Sequence, residues 1–295
     1  MLSNNHQRAL NTLTNHQSHP APITASPWRG RYRTFEECIQ RPKLNWIDPF
    51  PDEPSEDRWV PGKNGVTNEE TEYRLGKELW YPGLGYIYRE ALSCRKIGLN
   101  ARMRASVQYY NEFMNGRAKP RVYITEQVTP MYDFLKRHIP LLEGSEYLED
   151  VPTGWYQRGI RCEDITKLSF ADGTFDTVLS FDVLEHVPDY HAAISEICRI
   201  LTPGGDLLLT VPIAPDAFQS HRRARIDENN QVEFILEPEY HGNPLGPPSL
   251  CFTSFGFDLI DDIKRCGFSD CYVEAYGGRE MGYWGPEQFL IVAKK

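Results

Sequence analysis

The stretch GIRCEDITKLSFADGTFDTVLSFDVLEHVPDYHAAISEICRILTPGGDLLLTVP, Gly159 to Pro212, decides the fold. It is punctuated by an acidic turn (Glu163, Asp164), a strand ending in the polar cluster Asp182, Glu185 and His186, and the turn Pro203-Gly204-Gly205. Thr177–Phe181 (TVLSF) is short and apolar with a β-branched start, the pattern of a buried parallel strand. Ala193, Ile194, Ile197 and Leu201 then recur at helical spacing and form one apolar stripe. Proline cannot continue a helix and glycine accepts turn geometry, so Pro203-Gly204-Gly205 is expected to stop it. Leu207–Val211 (LLLTV) is the next buried strand. Strand, helix and strand at these spacings suit a parallel βαβ unit. Polar groups bunched where such strands end mark the place where an open α/β sheet holds its ligand.

Working outward, Arg121–Thr125 (RVYIT) is the first strand of this domain, and a helix runs through Met131, Phe134 and Leu135. A second short strand ends in Gly144-Ser145-Glu146-Tyr147. Residues 213–256 form a long insertion, and the chain closes with Cys271–Tyr276 and Gln288–Val292, expected as an antiparallel pair at one sheet edge. The domain spans 118–295. Ahead of it, residues 1–27 are polar and without period, a tail expected to be poorly ordered or surface-lying. Residues 28–117 are an aromatic and proline-rich extension, with Trp28, Trp46, Trp59, Trp80 and many tyrosines, followed by a basic amphipathic helix through Arg102 and Arg104. Large rings carry apolar area to bury, so 28–88 either wraps over the main domain or forms an interaction surface for a protein partner or a second copy.

The chain has 295 residues and a formal net charge of −9, which argues against sequence-independent nucleic-acid binding, since that rests on phosphate neutralisation by Lys and Arg. An anionic membrane surface is disfavoured for the same reason, and no apolar run approaches the roughly 20 residues of a membrane helix. The N-terminus lacks a hydrophobic segment of signal-peptide type. The 7 scattered cysteines suit reduced thiols, and a cytoplasmic location is the simplest expectation.

The words FDTVLSFDVLEHVPD (175–189) and RILTPGGDLLLTVP (199–212) resemble the class I S-adenosylmethionine-dependent methyltransferases, particularly the methyltransferase type-11 group. The similarity covers residues 118–293 and extends to LEGSEYLED (142–150), CEDITKLSF (162–170) and YITEQVTPMYDFLKR (123–137). It implies a Rossmann-like α/β sheet, mostly parallel with an antiparallel C-terminal edge strand, and S-adenosylmethionine as cofactor. By the same resemblance the cofactor-binding positions are Glu126, Gly144, Glu146, Tyr147, Asp164, Ile165, Phe181 and Asp182. Glu146 stands where the family places an acidic ribose ligand, Asp164 where an acid meets the adenine edge, and Phe181 and Asp182 at the pocket floor.

One departure stands out. The family has a glycine-rich loop after its first strand, whereas Thr125–Pro130 (TEQVTP) contains no glycine. Either the loop works in an altered shape, or the domain has lost cofactor binding. Spacing favours the first, because Glu146 follows Glu126 by 20 residues, close to the interval between a first-strand loop and a ribose-binding acid in nucleotide-binding βαβ units. Alternatively Glu146 is a solvated strand end, Asp164 caps the next turn or pairs with Arg161, and Asp182 caps the helix that follows. A nicotinamide-dependent oxidoreductase, the nearest confusable fold, would keep Gly-x-Gly-x-x-Gly after the first strand, and none is present.

Methyl transfer is chiefly a problem of alignment, with a general base needed only for a poorly ionised acceptor. His186, His241 and Tyr240 are the catalytic candidates, His186 with packing over the cofactor as its alternative. His191 and His221 are expected at the surface. The words SCRKIGLNARMRA (93–105) and EPEYHGNPL (237–245) resemble a bacterial branch of this family that often carries a Cys-x-x-Cys knuckle, but Ile97 stands where the partner of Cys94 would fall, so no metal is expected. The leading expectation is a methyltransferase acting on an oxygen or nitrogen of a small molecule, a sugar or secondary metabolite among the options. A non-catalytic scaffold and a protein-modifying methyltransferase are the rivals.

Overall fold

The computed structural model describes residues 26–295 except 115, 117 and 118; the tail expected over 1–27 lies outside the described residues but for Ser26 and Pro27. The chain divides into two compact units. One holds the described residues of Met1–Gly30, Pro42–Gly116 and Ala275–Gln288; the other holds Arg31–Arg41, Arg117–Glu274 and Phe289–Lys295.

Seven strands form the main sheet: β1 (Trp28–Tyr32), β2 (Val122–Ile124), β3 (Leu142–Gly144), β4 (Phe175–Phe181), β5 (Leu201–Thr210), β6 (Asp270–Gly278) and β7 (Tyr283–Lys294). Their order is β1-β6-β7-β5-β4-β2-β3. The β3-β2-β4-β5 run is parallel, and β7 lies antiparallel to β5 with Leu208 opposite Val292. The expected mostly parallel α/β sheet is therefore present. Its edge differs from expectation: β1, from the aromatic-rich extension, stands outside β6. The segment after Arg161 contributes only a parallel bridge, Glu146 to Cys162.

The helices form where capping and periodicity coincide. In α1 (Pro130–His138), Thr129 accepts the Tyr132 N–H at 3.2 Å and Pro130 occupies a first-turn position that needs no donor. In α2 (Tyr190–Ile200), Asp189 accepts the Ala192 N–H at 3.0 Å, and Ala193, Ile194 and Ile197 are fully buried. They pack with Val178, Leu207, Leu209 and with Leu259, Ile260 and Ile263 of α3 (Leu259–Arg265) into one core. Each such aliphatic side chain contributes about 1.5–3 kcal/mol.

The end of α2 corrects the sequence expectation. The helix stops at Ile200, before Pro203, and β5 already begins at Leu201. The reason lies in the register. Phe175 pairs with Leu201 but Thr177 pairs with Asp206, so Thr202–Gly205 bulges out, with Gly204 at φ +73°. The Pro-Gly-Gly turn shapes a strand irregularity rather than a helix stop.

Within the first unit, residues 58–64, 69–75 and 92–94 form an antiparallel three-stranded sheet. Trp46, Phe50, Tyr88 and Trp284 pack ring against ring, as do Trp28, Tyr109, Phe113 and Tyr276. The helix Ala101–Tyr109 is not the basic amphipathic helix expected. Arg104 is completely buried, donates to the Met281 and Gly282 carbonyls at 2.7 and 2.9 Å, and stacks 4.0 Å from the centre of Tyr73. Among the described residues, no helix is long and apolar enough to cross a membrane.

The most fully enclosed ion pair of the second unit is Glu163, whose side chain has no exposed surface. It accepts from Arg161 Nε at 2.7 Å, Thr153 Oγ1 at 2.9 Å and the Ser169 N–H at 2.8 Å. Glu163→Ala is expected to cost about 3–5 kcal/mol, because Arg161 loses its buried partner. Urea unfolding of the variant beside wild type checks this.

Candidate functional site

From β2 the chain moves outward to β3, then returns past β2 to β4 on its other side. The carboxyl ends of β2 and β4 therefore flank a point where the strand order reverses, and such a point leaves a crevice between diverging loops. The loop Thr125–Thr129 follows β2, Glu146 follows β3, and Asp182 follows β4.

The glycine-free loop is held by Glu146. Its Oε1 accepts the Gln127 N–H at 2.6 Å and the Val128 N–H at 2.9 Å. Gln127 is itself fixed: its Nε2 donates to the Gly159 carbonyl at 3.0 Å, and its Oε1 accepts the Arg161 N–H at 2.9 Å. Burial pushes the Glu146 carboxyl above its ordinary range, with the two loop amides working against that. The close approach that a loop glycine would provide lies instead at Gly144. A Cβ there would meet Tyr132 Cε2 at 2.4 Å and the Glu126 carbonyl oxygen at 2.8 Å. Glu126 itself is half-buried at the head of the loop.

The remaining expected positions are unequal. Asp164 Oδ1 accepts from the Thr166 N–H at 2.9 Å and Thr166 Oγ1 at 2.7 Å, so this oxygen caps the following turn. Arg161 pairs with Glu163 instead. Ile165 and Phe181 are buried, and Tyr147 is 70% exposed. Asp182 adopts φ +53°, unusual for a non-glycine residue, and its Oδ1 accepts from Thr210 Oγ1 at 2.8 Å. That backbone reversal turns β4 into the short helical turn Leu184–His186.

His186 and His241, 55 residues apart in sequence, come together with their ring centres 5.1 Å apart. The insertion achieves this with short antiparallel pairs, 221–222 with 253–254, 224–226 with 232–234 and 240–241 with 249–250. It is anchored to the turn after β4 by the Phe252 N–H, which donates to the Glu185 carbonyl at 2.7 Å. His186 Nδ1 bonds the Leu250 carbonyl at 2.9 Å, and His241 Nε2 bonds Glu239 Oε1 at 3.1 Å. Two further residues complete the group. Cys251 Sγ lies 3.4 Å from His241 Nδ1, and the buried Glu185 Oε1 lies 3.7 Å from the same nitrogen and 3.8 Å from His186 Nε2. Cys251 and its hydrogen bond, then Glu185, push His241 up to about 11. Burial raises the Cys251 thiol, but His186 and His241 outweigh it and hold the thiol below its ordinary value. Tyr240 is 54% exposed, and His191 and His221 are surface residues as expected. Sequence spacing gave no signal for Cys251, and Glu185 stood out only as a member of the polar cluster.

A methyltransferase domain family model matches residues 127–209, which run from the Glu146-bound loop through β5. Over this segment the chain is similar to the methyltransferase domain family. Among curated relatives, the glycine/sarcosine/dimethylglycine N-methyltransferase of Actinopolyspora halophila is 28% identical over 37% of this chain and 18% of that protein. The arsenite methyltransferase of Aquipseudomonas alcaligenes is 32% identical over 37% of this chain and 26% of that protein. The chain thus aligns with well under a third of the length of these relatives. A solved S-adenosylmethionine-dependent methyltransferase from Mesorhizobium loti aligns at 15% identity and a TM-score of 0.40, covering 60% of this chain and 91% of that one.

The methyl donor of this domain family is S-adenosylmethionine, and the donor set at the switch point fits a ribose. Glu146 spends Oε1 on the loop amides, and among the described residues no hydrogen bond is donated to its Oε2. Asp164 likewise commits Oδ1 to its turn.

Gly144→Ala is expected to push the Glu126 backbone or Tyr132 aside at a cost of about 1–3 kcal/mol, again read by urea unfolding. For Glu146 the sign follows from its raised folded-state value. The folded methyltransferase domain holds the proton more tightly than the unfolded chain, so this group's contribution is full below the unfolded value and is lost as pH rises through the folded one. Glu146→Gln is therefore expected to lose less stability than wild type between about pH 4 and about pH 7, measured as urea midpoints at both pH values.

Proposed function

We propose that the chain is an S-adenosylmethionine-dependent methyltransferase acting on an oxygen or nitrogen of a small molecule. The carrying observation is the joining of the β2 loop to Glu146 at the switch point, within the matched segment 127–209. When bound, S-adenosylmethionine supplies an electrophilic methyl carbon. In this proposal Glu146 Oε2 accepts a ribose hydroxyl and Asp164 Oδ2 meets the adenine edge. Gly144 gives the loop its close approach, and Ile165, Phe181 and Asp182 line the floor, with Glu126 and Tyr147 at the rim. Holding donor and acceptor in line can supply about 7–11 kcal/mol of the barrier.

The acceptor side falls to the insertion 213–256, which follows β5 and carries Tyr240 and His241. Curated relatives named for glycine, tocopherol and arsenite act on small acceptors by their names, which supports that substrate class. His186 and His241 each have one ring nitrogen bonded to protein, which suits positioning more than proton shuttling. Tyr240, with its exposed ring, is the group placed to meet an acceptor. The 7 scattered cysteines suit a reducing compartment such as the cytoplasm.

A second reading has one observation in its favour. Glu146 and the loop amides satisfy one another, which is how a domain retired from cofactor binding would close its loop. Calorimetric titration with S-adenosylhomocysteine separates the two. Catalytic use predicts micromolar binding, and Glu146→Ala is expected to weaken it about 10- to 100-fold, as loss of a charged hydrogen bond of about 1.5–3 kcal/mol requires. No binding by folded, cofactor-free protein would establish the scaffold reading instead.

A further inference from the structure

Glu185 presents a problem that the methyltransferase reading leaves unsolved. The residue is 1% exposed, and neither carboxylate oxygen has a hydrogen-bond partner. A buried carboxylate without donors is costly and normally exists only when paired or coordinating a metal. Facing it are two imidazoles and a thiol, and one ligand atom from each of His186, His241 and Cys251 lies within 4.8 Å of the others.

The hydrogen bonds of the two histidines settle which nitrogens are available. The Leu250 carbonyl can only accept, so His186 Nδ1 carries the proton and Nε2 keeps its lone pair, 3.8 Å from Glu185 Oε1. Glu239 accepts from His241 Nε2, which also lies 3.3 Å from Cys251 Sγ, and this leaves Nδ1, 3.7 Å from the same Glu185 oxygen and 3.4 Å from Cys251 Sγ, as the nitrogen that can exchange its proton for an ion. A backbone carbonyl behind one imidazole and a carboxylate behind the other are the outer-shell partners that orient metal-binding histidines. For bonds of about 2.0–2.3 Å, the edges of a tetrahedron of ligands are about 3.3–3.8 Å. The three distances at Glu185 and Cys251 fall on that edge length.

We propose that Glu185, His186, His241 and Cys251 form a closed, four-coordinate zinc site that clips the insertion 213–256 to the carboxyl end of β4. Two neutral imidazoles, one thiolate and one carboxylate carry charge −2, which a divalent ion cancels, so the enclosed site becomes neutral. The mixed nitrogen, sulfur and oxygen set suits zinc better than calcium or magnesium, which want oxygen alone. Binding releases to solvent the protons that Cys251 Sγ and His241 Nδ1 carry without the ion, with no change of oxidation state. His241, whose side chain is 31% exposed, provides the side of entry. The site lies outside the Cys94 segment where the sequence raised and dismissed a metal, and it stands on geometry independent of cofactor binding.

The test uses the full chain, stripped with a chelator and reconstituted with zinc, then desalted and measured by elemental mass spectrometry. About one zinc per chain is expected. X-ray absorption at the zinc edge should show one sulfur at about 2.3 Å and light atoms at about 2.0–2.2 Å. Cobalt substitution should give the intense visible bands of a tetrahedral ion and a thiolate charge-transfer band. Cys251→Ser should abolish that band and lower zinc affinity by at least the roughly 100-fold that loss of an outer-shell partner alone can cost. His241→Gln, at the more exposed position, serves as the second variant, and circular dichroism of the zinc-free proteins monitors folding. A wild-type chain that takes up no zinc, an absorption spectrum without sulfur, or folded variants that bind like wild type would each overturn the proposal. The cluster would then be a hydrogen-bonded ion pair only. None of these readouts depends on methyl transfer, so the fate of the proposed enzyme activity does not decide them.

Discussion

The Glu146 carboxylate, bonded through one oxygen to two consecutive amides of the β2 loop, is the constraint on which the switch-point loop depends. A glycine-rich loop solves the problem of close approach by removing side chains. Here the loop keeps Glu, Gln and Val, and the space is found at Gly144, where the strand end rather than the loop is stripped to backbone. The two solutions are physically equivalent in one respect: each allows the ends of neighbouring strands to approach within van der Waals distance. They differ in what orders the loop. Charge-assisted hydrogen bonds donated by the loop amides to a partly buried carboxylate replace backbone freedom, so the loop's order is tied to the ionisation of one group.

The central βαβ unit was legible because its information is local. Apolar runs, the α2 stripe and the polar strand end at Asp182–His186 all lie within Gly159–Pro212. What escaped depends on contacts between distant segments. That β1 would be an edge strand is written in pairing with residues about two hundred and fifty positions away, and nothing in Trp28–Tyr32 itself announces it. Arg104 looked like a solvated charge because its helix shows arginines at intervals. In the fold its guanidinium serves carbonyls at Met281 and Gly282, a partner set that only tertiary structure supplies. The bulge at Thr202–Gly205 was misread for a different reason. Proline and glycine mark irregularity, but whether it falls at a helix end or inside a strand depends on the facing strand.

The candidate site shows the same division. Glu146 was singled out through the family resemblance, with its spacing to Glu126 in support, and His186 and His241 from their chemistry; the structure adds that the two histidines share one enclosure. Asp164 illustrates a residue with two readings: Oδ1 caps a turn, as one of them has it, and the adenine role falls to the other oxygen only in the proposed function. Cys251 was invisible because an isolated cysteine carries no pattern. It acquires meaning only through the pairing of Tyr240 with Leu250, which sets His241 and Cys251 side by side.

That pairing bears on how the two sides of the domain communicate. Asp182 and Glu185 belong to one short turn, and Asp182 adds its negative charge to the desolvation that already disfavours an ionised Glu185. The turn is thus an accumulation of negative charge at the end of a buried strand, a place where the surrounding apolar side chains offer no relief. The compensating group comes from the insertion, as the imidazole of His241 3.7 Å from Glu185 Oε1, while the Phe252 N–H secures the Glu185 backbone carbonyl. An insertion that merely covered an acceptor could vary freely in its attachment. One that neutralises the β4 turn cannot, since detaching it would leave Glu185 both buried and uncompensated. The strain at Asp182 points the same way, because a non-glycine residue held at φ +53° persists only where the surroundings over-determine it. The floor of the proposed cofactor pocket and the acceptor-side loop are therefore a single electrostatic unit, and the geometry of either is conditional on the other.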